Sequence, residues 1–308
     1  MEELEKNPET ILEQIDDCRD KINKCVPHPP LRQENISTIR ETFTQAQTPV
    51  PCNLPVSVTL RQKVNIEWPE KIDREFLNCI KLGNKLVLLA SNTRFLNICN
   101  VDGTDAHHIP LPYTPWYITE VDHNTLAVSC TRDKVILIID ISTGYVTGTI
   151  KLRNYCYGIS YDNEYLYVVI DRKIIHVMNM TGNLIRTITS PSVSSIDITV
   201  HKDRYVCINL SSINCYYLDG KLKWKFENGK FENNFHSVTV DEKGNVYVTD
   251  RTSDTIVAVS ADGRNSSEIL SATDGLLSPS GIHYDRDENI LLVCNFWAHT
   301  VFLFDVKW

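Results

Sequence analysis

Apolar and polar residues take turns in short runs over most of this chain. From His236 to Gly263 three such runs follow one another, broken by polar turns at Asp241–Asn245, Arg251–Asp254 and Asp262–Gly263. A period of two predicts strands with one buried face, and the turn residues predict an antiparallel meander. So thin a sheet cannot bury its own faces and needs neighbours. The chain supplies them by repeating the unit. Its last turn recurs as Asp102-Gly103, Thr143-Gly144, Thr181-Gly182, Asp219-Gly220 and Asp262-Gly263, with steps of 41, 38, 38 and 43 residues from glycine to glycine. A sixth copy, Ser280 through Val306, stops short of the turn. A period near 40 with several strands per unit is that of a β-propeller blade, and six copies predict six blades. The alternation and the turn glycines exclude a helical solenoid of similar period.

The first five copies continue into a fourth strand, as in Leu184–Ile188 and Leu222–Phe226, whereas the sixth ends at Trp308 with three. Open sheet edges invite mispairing, so a ring has to be latched. Val56–Ile66 alternates well and precedes the first copy, so it is expected to supply the missing outer strand; an isolated linker strand is the alternative. The expected fold class is all-β: a six-bladed propeller over 56–308, closed by 56–66, with blades at about 76–112, 113–152, 154–190, 193–230, 234–272 and 276–308. A short α-helical segment is predicted ahead of it, over 1–26. There Ile11, Ile15, Cys18, Ile22 and Cys25 follow at steps of 4, 3, 4 and 3, a coiled-coil seam suited to self-association. Docking of that helix on its own propeller is the other possibility. Residues 27–55 read as a proline-rich linker, with a weak short helix over 34–46.

Composition narrows the class. At 42 % hydrophobic and 23 % charged the chain can build a substantial core. No apolar run approaches the ~18 residues of a membrane-spanning helix. The acidic start Met1-Glu-Glu-Leu-Glu-Lys lacks the apolar stretch of a signal peptide. Ten cysteines are scattered without a Cys-x-x-Cys pair, which predicts reduced thiols in a cytoplasmic protein. Net charge is −8; 8 basic and 11 acidic residues fall in 1–67, and 23 and 28 in 68–308. Bulk electrostatics therefore do not favour a polyanion, and only a local basic face would.

A string of phrases resembles known proteins. Asn124-Thr-Leu-Ala-Val, Ile138-Ile-Asp-Ile, Cys156-Tyr-Gly-Ile, Asp219-Gly-Lys-Leu-Lys-Trp-Lys-Phe, Val240-Asp-Glu-Lys-Gly-Asn-Val-Tyr-Val, Leu276-Leu-Ser-Pro-Ser-Gly-Ile-His-Tyr-Asp and Phe302-Leu-Phe-Asp-Val stand in blade order. With the helical remnant ending at Cys25, this is similar to the C-terminal half of tripartite-motif (TRIM) proteins carrying an NHL-like propeller, most closely the branch expanded in molluscs. The resemblance implies partner recognition in a ubiquitin pathway. It also implies RING and B-box zinc modules, and the sequence departs from that: no Cys/His grid exists here to hold structural zinc. The likeness is therefore to a member without those modules, with no ligase activity of its own, no metal and no cofactor.

Candidate chemistry gathers where the turns between second and third strands meet the connections between blades. The turns carry Arg94, Arg132 with Lys134, Arg172 with Lys173, Arg251 and Asn295–His299; the connections add Tyr113, Trp116, Arg153, Tyr155, Phe235 and His236, and Trp297 sits in the last turn. Arginine interleaved with aromatics on one rim suits an acidic peptide or stacked single-stranded RNA bases, with protein favoured because the fourth turn, Ser211-Ser212, lacks a base. The competing expectation is that Asp133, Asp171, Asp250 and Asp254 pair with these arginines. A metal-dependent lactonase or esterase is a second alternative, through Asp171, Asn209, Asp250 and Asn295 at strand ends, although Asp and Asn there commonly form turns. The His107-His108 pair is expected to face solvent.

Overall fold

Six four-stranded antiparallel sheets carry almost all of the regular structure in the described chain. The computed structural model describes residues 54, 56–66, 75–189, 194–227, 234–297 and 300–308. All of these belong to the second of two units, 48–308; the seam of Ile11, Ile15, Cys18 and Ile22 and the expected helix over 34–46 lie outside the described residues.

Strand β1 (Ser57–Asn65) comes first. The first blade is β2 to β5 (Phe76–Leu82, Lys85–Ala90, Phe95–Asn100, His107–Pro110) and the second β6 to β9 (Tyr117–Glu120, Thr125–Cys130, Val135–Asp140, Tyr145–Lys151). The third is β10 to β13 (Cys156–Asp162, Tyr165–Ile170, Ile174–Asn179, Leu184–Thr189) and the fourth β14 to β17 (Asp197–His201, Arg204–Ile208, Ser212–Tyr217, Leu222–Glu227). The fifth is β18 to β21 (Phe235–Val240, Val246–Asp250, Thr255–Val259, Ser266–Leu270), and β22 to β24 (Pro279–Asp285, Ile290–Asn295, Thr300–Lys307) give three strands of the sixth. A short 3-10 turn, Ala272–Asp274, links the last two. The first strands of successive blades pack on one another, and β22 returns to β2, so the ring is closed.

Burial explains where the alternation is sharp. Middle strands such as β8 are buried on both faces between neighbouring blades and read as continuous apolar runs, whereas the outer β9 alternates. Six apolar clusters result, each shared between two adjacent blades. The inner edges of the first strands have no strand partner, and side chains take up their N–H groups. Thr119 Oγ1 accepts from Tyr161 N at 3.1 Å, Ser160 Oγ from Val200 N at 3.0 Å, and Thr239 Oγ1 from Tyr284 N at 3.1 Å. His283 Nδ1 accepts from Lys81 N at 3.3 Å, joining the sixth blade to the first. A polar belt thus satisfies backbone donors that would otherwise face the axis unpaired.

Closure comes from β1, which pairs antiparallel with β24 from Ser57↔Lys307 to Asn65↔Thr300, with a bulge between Leu60 and Gln62. The turn glycines give an independent sign that β1 is a true outer strand. A Cβ on Gly144, Gly182, Gly220 or Gly263 would meet Ile109, Ile150, Ile188 or Trp224, each on the outer strand of the preceding blade. Gly103 of the first blade meets Val64, on β1.

Candidate functional site

All second-to-third-strand turns lie at one end of the ring, because every blade starts from the axis in the same direction. Outside the fourth blade, each such turn is tied to the connection entering its own blade. Asp133 Oδ2 accepts from Thr114 N at 3.2 Å, Asp171 Oδ1 from Tyr155 N at 3.1 Å, Asp250 Oδ1 from Asn234 N at 3.1 Å, and Asn295 Oδ1 from Leu277 N at 3.0 Å. Asn209 accepts instead within its own turn, from Ser211 N and Ser212 N at 2.9 and 2.7 Å. The strand-end set considered for a metal is therefore engaged with backbone donors, and no metal-holding group of three or more acidic, His or Cys side chains occurs among the described residues.

This use of the acids leaves the cations to other partners. Among the described residues, Arg94, Arg132, Arg172, Lys173 and Arg251 form no ion pair, so the expected pairing with neighbouring aspartates is corrected. Arg132, Arg172 and Arg251 lie over rings instead, and so does Lys134. Arg132 lies 5.6 Å from the Trp116 ring centre, Lys134 4.8 Å from Tyr155, Arg172 4.7 Å from Tyr157 and Arg251 3.8 Å from Phe296. Phe296 in turn meets Trp297 edge-on at 4.7 Å. Burial lowers the Arg251 guanidinium below its ordinary value, with Glu75 partly offsetting it. Trp297 is 62 % exposed and Tyr155 47 %, so two large aromatics of the rim face solvent. Arg94 and Lys173 are exposed on the same face and lie over no ring among the described residues.

Other rim candidates have different places. Phe235 is fully buried in the cluster between the fourth and fifth blades and belongs to the core. The His236 ring nitrogen Nδ1 lies 2.9 Å from Ser280 O, and burial together with Arg251 pushes its pKa down to about 4. His108 is half-buried, with its ring 5.6 Å from Phe95, so only His107 of that pair is exposed. The seven described cysteines are free and buried, and burial pushes Cys99 up to about 12, which makes it a poor nucleophile.

A second concavity escaped the sequence. At the opposite end of the axis a cavity of about 420 Å³ runs in from the first-to-second-strand turns to a floor that includes Asn78, Asp197 and Ser237. Asp197 Oδ2 accepts from Ser237 Oγ and Val238 N at 3.0 and 3.2 Å, and burial raises its carboxyl to about 7. Gly158 lets it approach, since a Cβ there would sit 2.5 Å from Asp197 Cα; a Cβ on Gly281 would sit 2.7 Å from Asn78 Cα. The visible signal was a glycine, in Cys156-Tyr-Gly-Ile and Ser280-Gly-Ile, where other copies carry a side chain.

No protein-family model matches the chain, and no curated protein matches it. Solved structures do. A protein of unknown function from Bacteroides thetaiotaomicron superposes with a TM-score of 0.66 at 15 % identity, over 82 % of this chain and 76 % of that one. The β-propeller domain of Myceliophteria thermophila Cps50 (Swd1) gives 0.62 at 8 %, over 81 % and 100 %. Virginiamycin B lyase from Staphylococcus aureus gives 0.59 at 13 %, over 81 % and 99 %. At such identities the likeness is one of fold.

Proposed function

We propose that this chain is a non-catalytic recognition module whose rim docks an acidic segment of a partner protein. One observation carries the reading: four rim cations, Arg132, Lys134, Arg172 and Arg251, lie over aromatic faces, not against carboxylates, beside exposed Tyr155 and Trp297. A guanidinium on a ring keeps N–H groups at its edge for an incoming carboxylate, although Arg251 Nε already donates to Ser278 Oγ at 3.4 Å, and an aromatic beside it supplies the anchor area. The turn aspartates, held by backbone N–H groups, cannot swing in to quench those cations. The blade phrases extend the proposal: the module is the partner-binding part of a TRIM-type protein of the ubiquitin pathway, acting in the cytoplasm and self-associating through 1–26. No helix among the described residues is long and apolar enough to cross a membrane.

The test is a fluorescence titration with peptides of alternating glutamate and tyrosine, with polyuridine RNA in parallel. Peptide binding is expected. Arg132→Glu with Arg172→Glu, both exposed, is expected to weaken it by about tenfold or more, the loss of two interface cations, while the melting temperature stays near that of the parent. Peptide affinity unchanged in the double variant overturns the rim reading. Tighter binding to RNA, with a steep fall as salt rises, replaces the protein partner with a nucleic acid.

A further inference from the structure

The cations of the rim are not shared evenly among the blades. Six of them, Arg132, Lys134, Lys151, Arg153, Arg172 and Lys173, come from the second-blade turn, the third-blade turn and the chain that joins those blades. None of the six forms an ion pair among the described residues. The two carboxylates of the same turns are already engaged. Asp133 Oδ2 accepts from Thr114 N at 3.2 Å, and Asp171 accepts from Tyr155 N at 3.1 Å and from Asn154 Nδ2 at 2.6 Å. Elsewhere the described rim carries Arg94 and Arg251 against Glu75, Asp250 and Asp254. One notch, between the second and third blades, is therefore strongly positive on a ring that is acidic as a whole, with 23 basic and 28 acidic residues in 68–308.

Part of that charge is held in place. Arg132 lies over Trp116, Lys134 over Tyr155 and Arg172 over Tyr157, and Trp116 and Tyr157 pack in one cluster between the two blades. Two buried polar atoms supply a second observation. Trp116 Nε1 and Thr131 Oγ1 have no hydrogen-bond partner, and Thr131 is only 8 % exposed. Thr131 opens the turn that carries Arg132, and Trp116 is the ring over which Arg132 lies. Buried donors left over cost free energy in the free protein unless a ligand or water takes them.

We propose that this notch binds a phosphorylated side chain of the partner, a phosphomonoester dianion carried on a peptide. The proposal rests on the reading of the rim given above and adds what the acidic segment carries. A single carboxylate uses one guanidinium. A phosphate brings nearly two charges and three acceptor oxygens, and so uses cations from both turns at once. In drawing Arg132 off its ring it opens Trp116 Nε1 and Thr131 Oγ1 to a partner. A nucleic acid fits less well, because its backbone phosphates continue past the notch onto turns without a base, such as Ser211-Ser212 of the fourth blade.

Fluorescence titration of the whole chain with four versions of one glutamate–tyrosine peptide tests this. They are the unmodified peptide, one with phosphotyrosine, one with phosphoserine at that position, and a charge-matched one with two glutamates there. At least one phosphopeptide is expected to bind about tenfold or more tighter than the unmodified and charge-matched peptides, the scale of one charge-assisted hydrogen bond. Arg153→Gln with Lys173→Gln, both exposed, is expected to reduce that preference to about threefold or less. Arg94→Gln, on the first blade, is expected to leave it intact. Phosphopeptides that bind no better than the charge-matched peptide overturn the phosphate and leave the rim reading standing. No binding of any of the four overturns both. A preference untouched by Arg153→Gln with Lys173→Gln overturns the notch, and polyuridine that displaces the phosphopeptide and binds more tightly replaces it with a nucleic acid.

Discussion

Glycine does two separate jobs in this ring, and the cost of replacing it separates them. The repeated turn glycines have φ between 74° and 91°, the left-handed region that a side chain disfavours, which is why they mark the repeat so regularly. Gly83 also has a positive φ of 51°, but a Cβ there would meet nothing within 4 Å. Gly158 is the reverse case: its φ is ordinary, and a Cβ would lie 2.5 Å from Asp197 Cα and 2.8 Å from Ile198 N, which are backbone atoms that cannot move aside alone. Gly83→Ala is therefore expected to cost about 1 kcal/mol, the conformational part only. Gly158→Ala should cost about 3 kcal/mol or more, since the third and fourth blades have to part. Urea unfolding midpoints of the two variants measure the difference; equal costs would mean that the third and fourth blades do not approach as closely as described.

At the scale of the element, closure rests on a short chain of charges as well as on the β1–β24 ladder. Arg61, the residue at the bulge of β1, donates to Asp305 at 2.7 Å and to Glu288 at 2.6 Å. Glu288 accepts in turn from Lys81 on β2, so one carboxylate on the sixth blade binds both the latch strand and the first blade. The Lys81 and Asp285 side chains are only 3 % and 9 % exposed, which makes breaking this pair far costlier than breaking a surface pair. Lys81→Met should destabilise the protein by ~3–5 kcal/mol by leaving Asp285 buried and unpaired, and adding Asp285→Asn should recover much of that loss. Denaturant unfolding of the single and double variants decides it; additive losses would show that the two groups are not coupled. The alternation of 56–66 was legible because an outer strand has one wet face. The bulge was not, since nothing local in Leu60-Arg61-Gln62 announces that Arg61 has a carboxylate two hundred residues away.

At the scale of the whole molecule, sequence reading located the rim but not its chemistry. Arg132, Arg172 and Arg251 could be placed on shared turns because the repeat fixes the register. Their choice of ring over carboxylate depends on which donors the turn aspartates meet, and those come from a different connection. Asn78 and Asp197 were missed for a related reason: a channel takes one residue from each blade, about forty positions apart, so no local pattern carries it. The same buried groups set how the fold responds to acid. His201, His236 and His283 are all pushed down to about 4 by burial, so below their ordinary value the unfolded chain takes up protons that the folded chain refuses. Their contribution to stability rises with pH from about 4 to about 6.5. Asp285 and Glu288 sit below the usual carboxylate range because of Lys81, despite the opposing burial of Asp285, and lose their contribution in acid too. Asp197 runs the other way: burial raises it to about 7, so the folded chain holds a proton that the unfolded chain releases, and stability falls as pH rises from about 4 to 7. Three histidines outweigh one aspartate, so the melting temperature should climb from pH 4 to 6.5 and level off near 7. Asp197→Asn removes the opposing slope, and the melting temperature of that variant minus that of the parent should therefore increase with pH across 4 to 7. A difference independent of pH over that range would show that Asp197 titrates as an ordinary carboxylate and that the floor of the channel is wet.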